Sequence, residues 1–170
     1  MNKKKLVRRI TDNALIAAIY YVLTILMAGQ AFYDVQFRIA EIFIFLAFFR
    51  KDFVIGVTLG CFLANLHSPL WPWDPIFGTL ATFISALLVA YSRNLVMGII
   101  YPTIINGVVI GLMLHLVLKF PLLETMGLVA LGEFLVLLLG HAIFKILSKK
   151  KAFLSLIMAP GEEEEKDEQQ

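Results

Sequence analysis

Six apolar stretches follow one another along this chain, at Asn13–Phe32, Val35–Phe49, Phe53–Leu66, Pro75–Tyr91, Leu95–Leu118 and Thr125–Leu147. Nearly every ionisable residue lies in the short gaps between them. None of the stretches alternates with the period of two that a membrane barrel strand requires. Each therefore predicts a helix, which closes its backbone hydrogen bonds within its own segment. About 20 apolar residues carry a helix across a bilayer core. The first, fifth and sixth stretches reach that length and the fourth does so narrowly. The second and third are short, and need little tilt, shielding by neighbours or borrowed loop residues. The pattern predicts an all-α membrane protein, a six-transmembrane-helix bundle.

Composition adds that lipid is the main solvent, with 59% hydrophobic residues and a mean hydropathy of +0.82. In 170 residues, six spans and their loops leave no room for a soluble catalytic domain. The expected division is a basic amino end at 1–12, a six-helix domain at 13–147 and a charged tail at 148–170 that is expected to be disordered. The tail closes with Gly161–Gln170 (GEEEEKDEQQ), which lacks apolar anchors and predicts disorder. The first stretch is too long for a signal-peptide core and has no small-residue cleavage site behind it, so it reads as a permanent helix. Cys61 is alone, which removes disulfides and cysteine metal sites and leaves a small packing residue.

Charge orients the bundle. Of the 15 basic residues, all but Arg38 and Lys119 fall before the first helix, in the second and fourth loops or at the carboxyl end. The positive-inside rule places both termini in the cytoplasm, as an even number of spans also requires, and the address is the plasma membrane. The net charge of +2, distributed by membrane side, gives no reason to expect a nucleic-acid partner.

Orientation gives each polar residue a depth. Arg38 and Glu41 stand at i, i+3 in the first turns of helix two and so share a face. Asn65 ends helix three. His67, Trp71, Trp73 and Asp74 fall in the outer loop HSPLWPWDP. Asn106 is near the middle of helix five, and Glu133 lies roughly 10 Å below the outer end of helix six at 1.5 Å per residue. The outer half is polar from several helices at once, whereas the inner half offers little beyond His141. Simpler readings exist for most of these residues. Arg38 can pair with Glu41 and snorkel to the surface, the tryptophans can form an interfacial belt, and Asn106 can bond between helices. A carboxyl group inside a span, as at Glu133, is costly and usually marks a ligand or ion path. A relay of ionisable groups does not continue inward, so a pocket open to the outside fits better than a channel.

Small residues form a second pattern. Gly56/Gly60 and Gly107/Gly111 read as packing faces inside the bundle. Ala14 and Ala18, near the basic amino end, form a small-xxx-small face that a partner subunit could reach. No G-x-x-x-x-G-K-[ST] nucleotide loop, H-E-x-x-H metal motif or serine triad signature occurs, so no cofactor is expected. Two similar halves, as in many secondary transporters, are also absent.

The basic amino end with Ala14-x-x-x-Ala18, the segments Val35–Glu41 (VQFRIAE) and Gly60–Leu66 (GCFLANL), and Asp74–Ala81 (DPIFGTLA) together resemble the QueT family. These are substrate-capture (S) components of energy-coupling factor (ECF) transporters, and the resemblance covers about residues 8–147. It implies a six-helix subunit that binds queuine or a related deazaguanine precursor of queuosine. Its partners would be a transmembrane coupling subunit and two ABC-type ATPases. It further implies that Ala14 and Ala18 dock on the coupling subunit, and that the S component rotates in the membrane to carry its pocket inward.

A deazaguanine offers paired N–H donors that suit a carboxylate, a carbonyl that suits an amide or guanidinium, and a flat ring that suits an apolar slot. Glu133, Glu41 or Asp74 would read the donors, and Asn65, Asn106 or Arg38 the carbonyl. The same side chains suit other small polar vitamins, so the resemblance selects the ligand. The alternatives are an S component for another vitamin or nucleobase, a membrane-embedded enzyme using Glu133 and His141, and a scaffold for other subunits.

Overall fold

A computed structural model describes residues 3–27 and 38–158. Helix α1 is Lys3–Leu26, α2 is Ile39–Phe49, α3 is Phe53–Asn65, α4 is Trp73–Ala90, α5 is Met97–Leu118, α6 is Leu122–Leu147 and α7 is Lys151–Ile157. Among the described residues, α1, α5 and α6 are long and apolar enough to cross a membrane, while α2, α3 and α4 are shorter apolar helices.

Each of the six apolar stretches is helical where it is described, with three differences. Helix α1 begins ten residues before the apolar run. Its first turns are mostly Lys, Leu and Arg, which have no branch at Cβ and are good helix formers, and Arg8 reaches Asp12 at 3.8 Å one turn on. The far end of the first stretch and the start of the second, from 28 to 37, lie outside the described residues. Helix α2 is a 3-10 helix over Ile39–Phe45 before becoming α-helical at Leu46–Phe49. At about 2.0 Å rise per residue instead of 1.5 Å, the 3-10 portion covers more depth than its seven residues would as an α-helix. Ile44, Phe45 and Ala47 are fully buried, so this short segment is the centre of the core. The third difference is at the carboxyl end, where ordered structure continues past residue 148. Phe153 of α7 packs edge-on against Phe49 and Phe144, with ring centroids 5.7 and 6.0 Å away. The acidic stretch expected to be disordered lies outside the described residues.

Both glycine pairs are internal contacts. A Cβ on Gly60 would lie 2.8 Å from the Ala17 carbonyl oxygen of α1, and one on Gly111 would lie 2.7 Å from Met126 Cα of α6. With no side chain at these points, α3 can lie directly on α1, and α5 on α6. The buried face of α1 is Asn13, Ile16, Ala17, Tyr20 and Thr24. Ala14 and Ala18 point away from the bundle and are exposed.

One end of the bundle is tied together by a charged cluster. Arg50, 3% exposed, donates to both carboxylate oxygens of Asp52 at 2.9 and 3.1 Å and to Asp12 at 2.8 Å. It also donates to the Ile157 carbonyl at 2.8 Å and lies 3.8 Å over the Phe53 ring. Asn13 donates to Asp52 at 3.0 Å and accepts the Gly56 N–H at 2.7 Å. Arg8 donates to the Leu156 carbonyl at 3.0 Å. The amino-terminal helix, the α2–α3 turn and the carboxyl-terminal helix therefore meet at the same end. This half of the bundle is more polar than the sequence pattern suggests, because Arg50 and Asp52 read there as loop residues.

Candidate functional site

Away from that end, polar side chains from α1 to α4 meet inside the bundle. Arg38 stands at the start of α2 and Glu41 lies one turn later. The contact of α2 with α1 brings Tyr20 to Glu41, and its hydroxyl donates to Glu41 Oε1 at 2.6 Å. Thr82 of α4 donates to the same oxygen at 2.8 Å. A chain of contacts continues through Cys61 Sγ, 3.3 Å from Thr82 Oγ1, to the Asn65 amide, which donates to that sulfur at 3.3 Å. Glu41, Asn65 and Tyr20 are each 1% exposed and Thr82 is fully buried.

Asp74 does not lie in an outer loop. Its sequence context, with Pro72, Pro75 and two tryptophans, has the composition of a turn. Proline is tolerated in the first turn of a helix, where its missing N–H would have no intrahelical acceptor. Helix α4 accordingly starts at Trp73 and carries Asp74 in its first turn, with no exposed surface. There Asp74 accepts the Ser68 hydroxyl and stands 3.8 Å from Arg38 Nη2. Arg38 thus has a carboxylate partner on another helix. Gly78, one turn further along α4, faces the site. A Cβ there would lie 2.6 Å from the Asn65 amide nitrogen and 3.2 Å from Arg38 Nη1.

The other two candidates arrive on α5 and α6. Gly107 and Gly111 let these helices approach, and Asn106 donates to Glu133 Oε1 at 3.1 Å in a buried bond. Helix α6 begins at Leu122, so Glu133 is eleven residues along it, or about 16 Å, deeper than the sequence estimate. Two turns further, Gly140 packs on α2, where a Cβ would lie 2.9 Å from the Phe45 ring. This packing sets the Glu133 face of α6 against α2, and Glu133 lies within electrostatic range of both Glu41 and Arg38.

The structure therefore gathers Arg38, Glu41, Asn65, Asp74, Asn106 and Glu133 in one interior region, supplied by α2 to α6. Tyr20, Ser68 and Thr82, which the sequence pattern did not single out, hold the carboxylates in place. Among the described residues, Glu41 Oε2 and Asp74 Oδ1 are buried without a hydrogen-bond partner. Buried carboxylate oxygens are seldom left so, and these two are ready to accept further donors. A cavity of about 580 Å³ between α4 and α5, lined by apolar side chains including Trp73, Phe77 and Met113, shares none of the six residues. Among the described residues, no group of His, Cys, Asp and Glu is placed to hold a metal ion. His141 Nδ1 is buried without a hydrogen-bond partner among the described residues, and its ring packs 6.2 Å from Phe45.

Apolar helices of membrane length around a polar interior define a membrane-embedded helical protein. Its residues 10–149 match the QueT transporter family, and the chain belongs to that family. It is 34% identical over 164 residues to the queuosine precursor transporter QueT of Lactococcus lactis subsp. cremoris (strain MG1363), covering 87% of this chain and 96% of that protein. No solved structure matches it.

Proposed function

We propose that this transporter-family member is the substrate-capture subunit of an ECF-type importer, and that it binds queuine or a related deazaguanine queuosine precursor. The observation that carries this reading is the interior set of three carboxylates, one guanidinium and two amides. Two of its carboxylate oxygens have no hydrogen-bond partner among the described residues. A guanine-like edge presents paired N–H donors beside a carbonyl, and this set can supply acceptors beside donors. Glu133, oriented by Asn106, reads the ring donors, and Arg38 and Asn65 supply donors to the carbonyl.

In this reading all six apolar helices cross the membrane, both termini are cytoplasmic and the polar site loads from outside. Transport then needs an energy source, which a transmembrane coupling subunit and two ABC-type ATPases provide. The exposed Ala14 and Ala18 face on α1 is the docking surface for the coupling subunit, since small residues permit close helix approach. Mass spectrometry of the small molecules released from the purified, denatured protein tests the reading. A deazaguanine is the expected species. Release of an unrelated vitamin would place the chain with other S components, and turnover of a lipid or peptide by the isolated chain would make it an enzyme.

A further inference from the structure

The apolar cavity between α4 and α5 has no part in the polar site, and it opens sideways. Trp73, Phe77 and Leu80 line it from α4, and Val109, Leu112 and Val117 from α5. Leu80 and Leu112 are 47% and 42% exposed, so this groove faces whatever surrounds the bundle. Around apolar helices of membrane length, that surrounding is lipid.

The groove has the depth of one leaflet. On α5 its lining runs from Val109 to Val117, about 12 Å of helix axis. A bilayer core is about 30 Å thick, so each leaflet supplies about 15 Å. The chain leaves the Arg50 turn along α3, returns along α4 and goes out again along α5, so α4 starts and α5 ends at the end opposite the Arg50 cluster. The groove occupies that half of the bundle alone. A partner helix crossing the membrane would have about half its length off such a seat, whereas one acyl chain matches it.

The same end carries groups that suit a lipid head. Trp73 stacks on Phe77 with ring centroids 6.2 Å apart. An indole at a membrane interface packs its ring on hydrocarbon and donates its N–H to the polar layer. Lys119 closes α5 two residues past Val117, with a left-handed φ of 63°. Glycine takes that position without strain, and the lysine instead puts a cation at the mouth of the groove. Lys119 is exposed, and among the described residues it has no ion pair.

We propose that the α4–α5 groove seats one acyl chain of an anionic phospholipid, with its phosphate headgroup at Lys119 and its ester region at Trp73. This lipid site is separate from the interior polar site and does not depend on which ligand that site takes.

Tryptophan quenching tests it. Trp71 and Trp73 are the two tryptophans of the chain, and Trp71 does not line the groove. In Trp71→Phe, Trp73 is therefore the sole reporter. The full-length variant is reconstituted into mixed phosphatidylglycerol and phosphatidylcholine vesicles, with the chains of one lipid or the other brominated. Brominated phosphatidylglycerol is expected to quench Trp73 with about fivefold higher apparent affinity, the factor that one lysine near an anionic headgroup supplies. Adding Lys119→Gln should bring the ratio to about one, and Lys119→Arg should keep it. Adding Leu80→Phe with Leu112→Phe, which fills the groove and leaves the lysine in place, should also remove the preference. Equal affinities before any of these changes overturn the anionic-lipid site. A preference that survives Lys119→Gln overturns the headgroup assignment. One that survives filling of the groove means attraction at the surface only and overturns the chain seat. Little quenching by either lipid means that protein, a second copy or another subunit, covers the groove, and overturns the lipid as its occupant.

Discussion

The Tyr20 hydroxyl on α1 donates to Glu41 Oε1 on α2 across 2.6 Å, in a region where both side chains are 1% exposed. This bond joins the helix that carries the exposed alanine face to the helix that carries a carboxylate of the site. A hydrogen bond to a charged group contributes about 1.5–3 kcal/mol. Tyr20→Phe is expected to lower stability by that amount. In a double-mutant cycle with Glu41→Gln, the two losses should fall short of additivity, as for residues in direct contact. Thermal or denaturant unfolding of the four purified proteins measures it, and strict additivity would mean that the two side chains act independently.

Gly78 is the point where α4 lets Asn65 and Arg38 approach. Gly78→Ala gains helix propensity of about 1 kcal/mol. It also places a methyl group 2.6 Å from the Asn65 amide and 3.2 Å from Arg38. Overpacking of this kind costs about 1–3 kcal/mol. Ligand affinity is expected to fall roughly tenfold while the unfolding temperature changes little, because the displaced groups are those that face the ligand. Calorimetric binding together with a melting curve separates the two effects, and unaltered affinity would show that Asn65 and Arg38 tolerate displacement.

Much of the site was legible because a polar residue in an apolar run is conspicuous. Arg38, Glu41, Asn65, Asn106 and Glu133 stand out in this way. Tyr20 and Thr82 do not, since hydroxyl residues are common in membrane helices and nothing local marks one as a ligand of a carboxylate. Asp74 stands out as a candidate too, but the sequence puts it in a loop and the structure puts it in the first turn of α4. Its two neighbouring prolines have the composition of a turn, while the structure uses them to start α4. The 3-10 course of α2 has no signature in a run that is apolar on every side, where tertiary packing decides the geometry. The Arg50 cluster was hidden for another reason. Arg50 and Asp52 flank Lys51 in a short charged gap, and only the fold brings Asp12 and the Ile157 carbonyl to them.

The alanine face makes a prediction about assembly. Ala14 and Ala18 are exposed, whereas Ala17 is buried against Gly60. Ala14→Leu or Ala18→Trp is expected to abolish co-purification with the proposed coupling subunit and, with it, uptake. Ligand affinity of the isolated subunit should stay within about twofold, because neither side chain reaches the interior. Loss of binding in the isolated variants would assign the face to the internal core instead.

Orientation can be read by chemical labelling. Ser68 is buried against Asp74 and is a poor reporter, whereas Trp71, in the same loop, is 66% exposed. A cysteine at Trp71 is expected to react with a membrane-impermeant reagent applied to intact cells. One at the exposed Arg93 should react only after permeabilisation. Native Cys61 is buried and contributes no background. The opposite labelling pattern would invert the bundle and put the site's opening in the cytoplasm.

The central claim is that a buried carboxylate on α6 reads the donor edge of a deazaguanine, and Glu133→Gln tests it most directly. The amide that replaces Oε1 or Oε2 is nearly isosteric but presents a donor where the ligand also presents one. Losing a charge-assisted hydrogen bond and leaving a donor unpaired costs about 2–4 kcal/mol, roughly a 30- to 1,000-fold loss of affinity. Asn65→Ala and Asn106→Ala should each cost about 1 kcal/mol, the net contribution of a neutral hydrogen bond. Titration calorimetry of the purified proteins with a deazaguanine gives the answer. The account predicts a large loss for Glu133→Gln and small losses for the two asparagine variants. Full affinity in Glu133→Gln, with the variant folded, would contradict it.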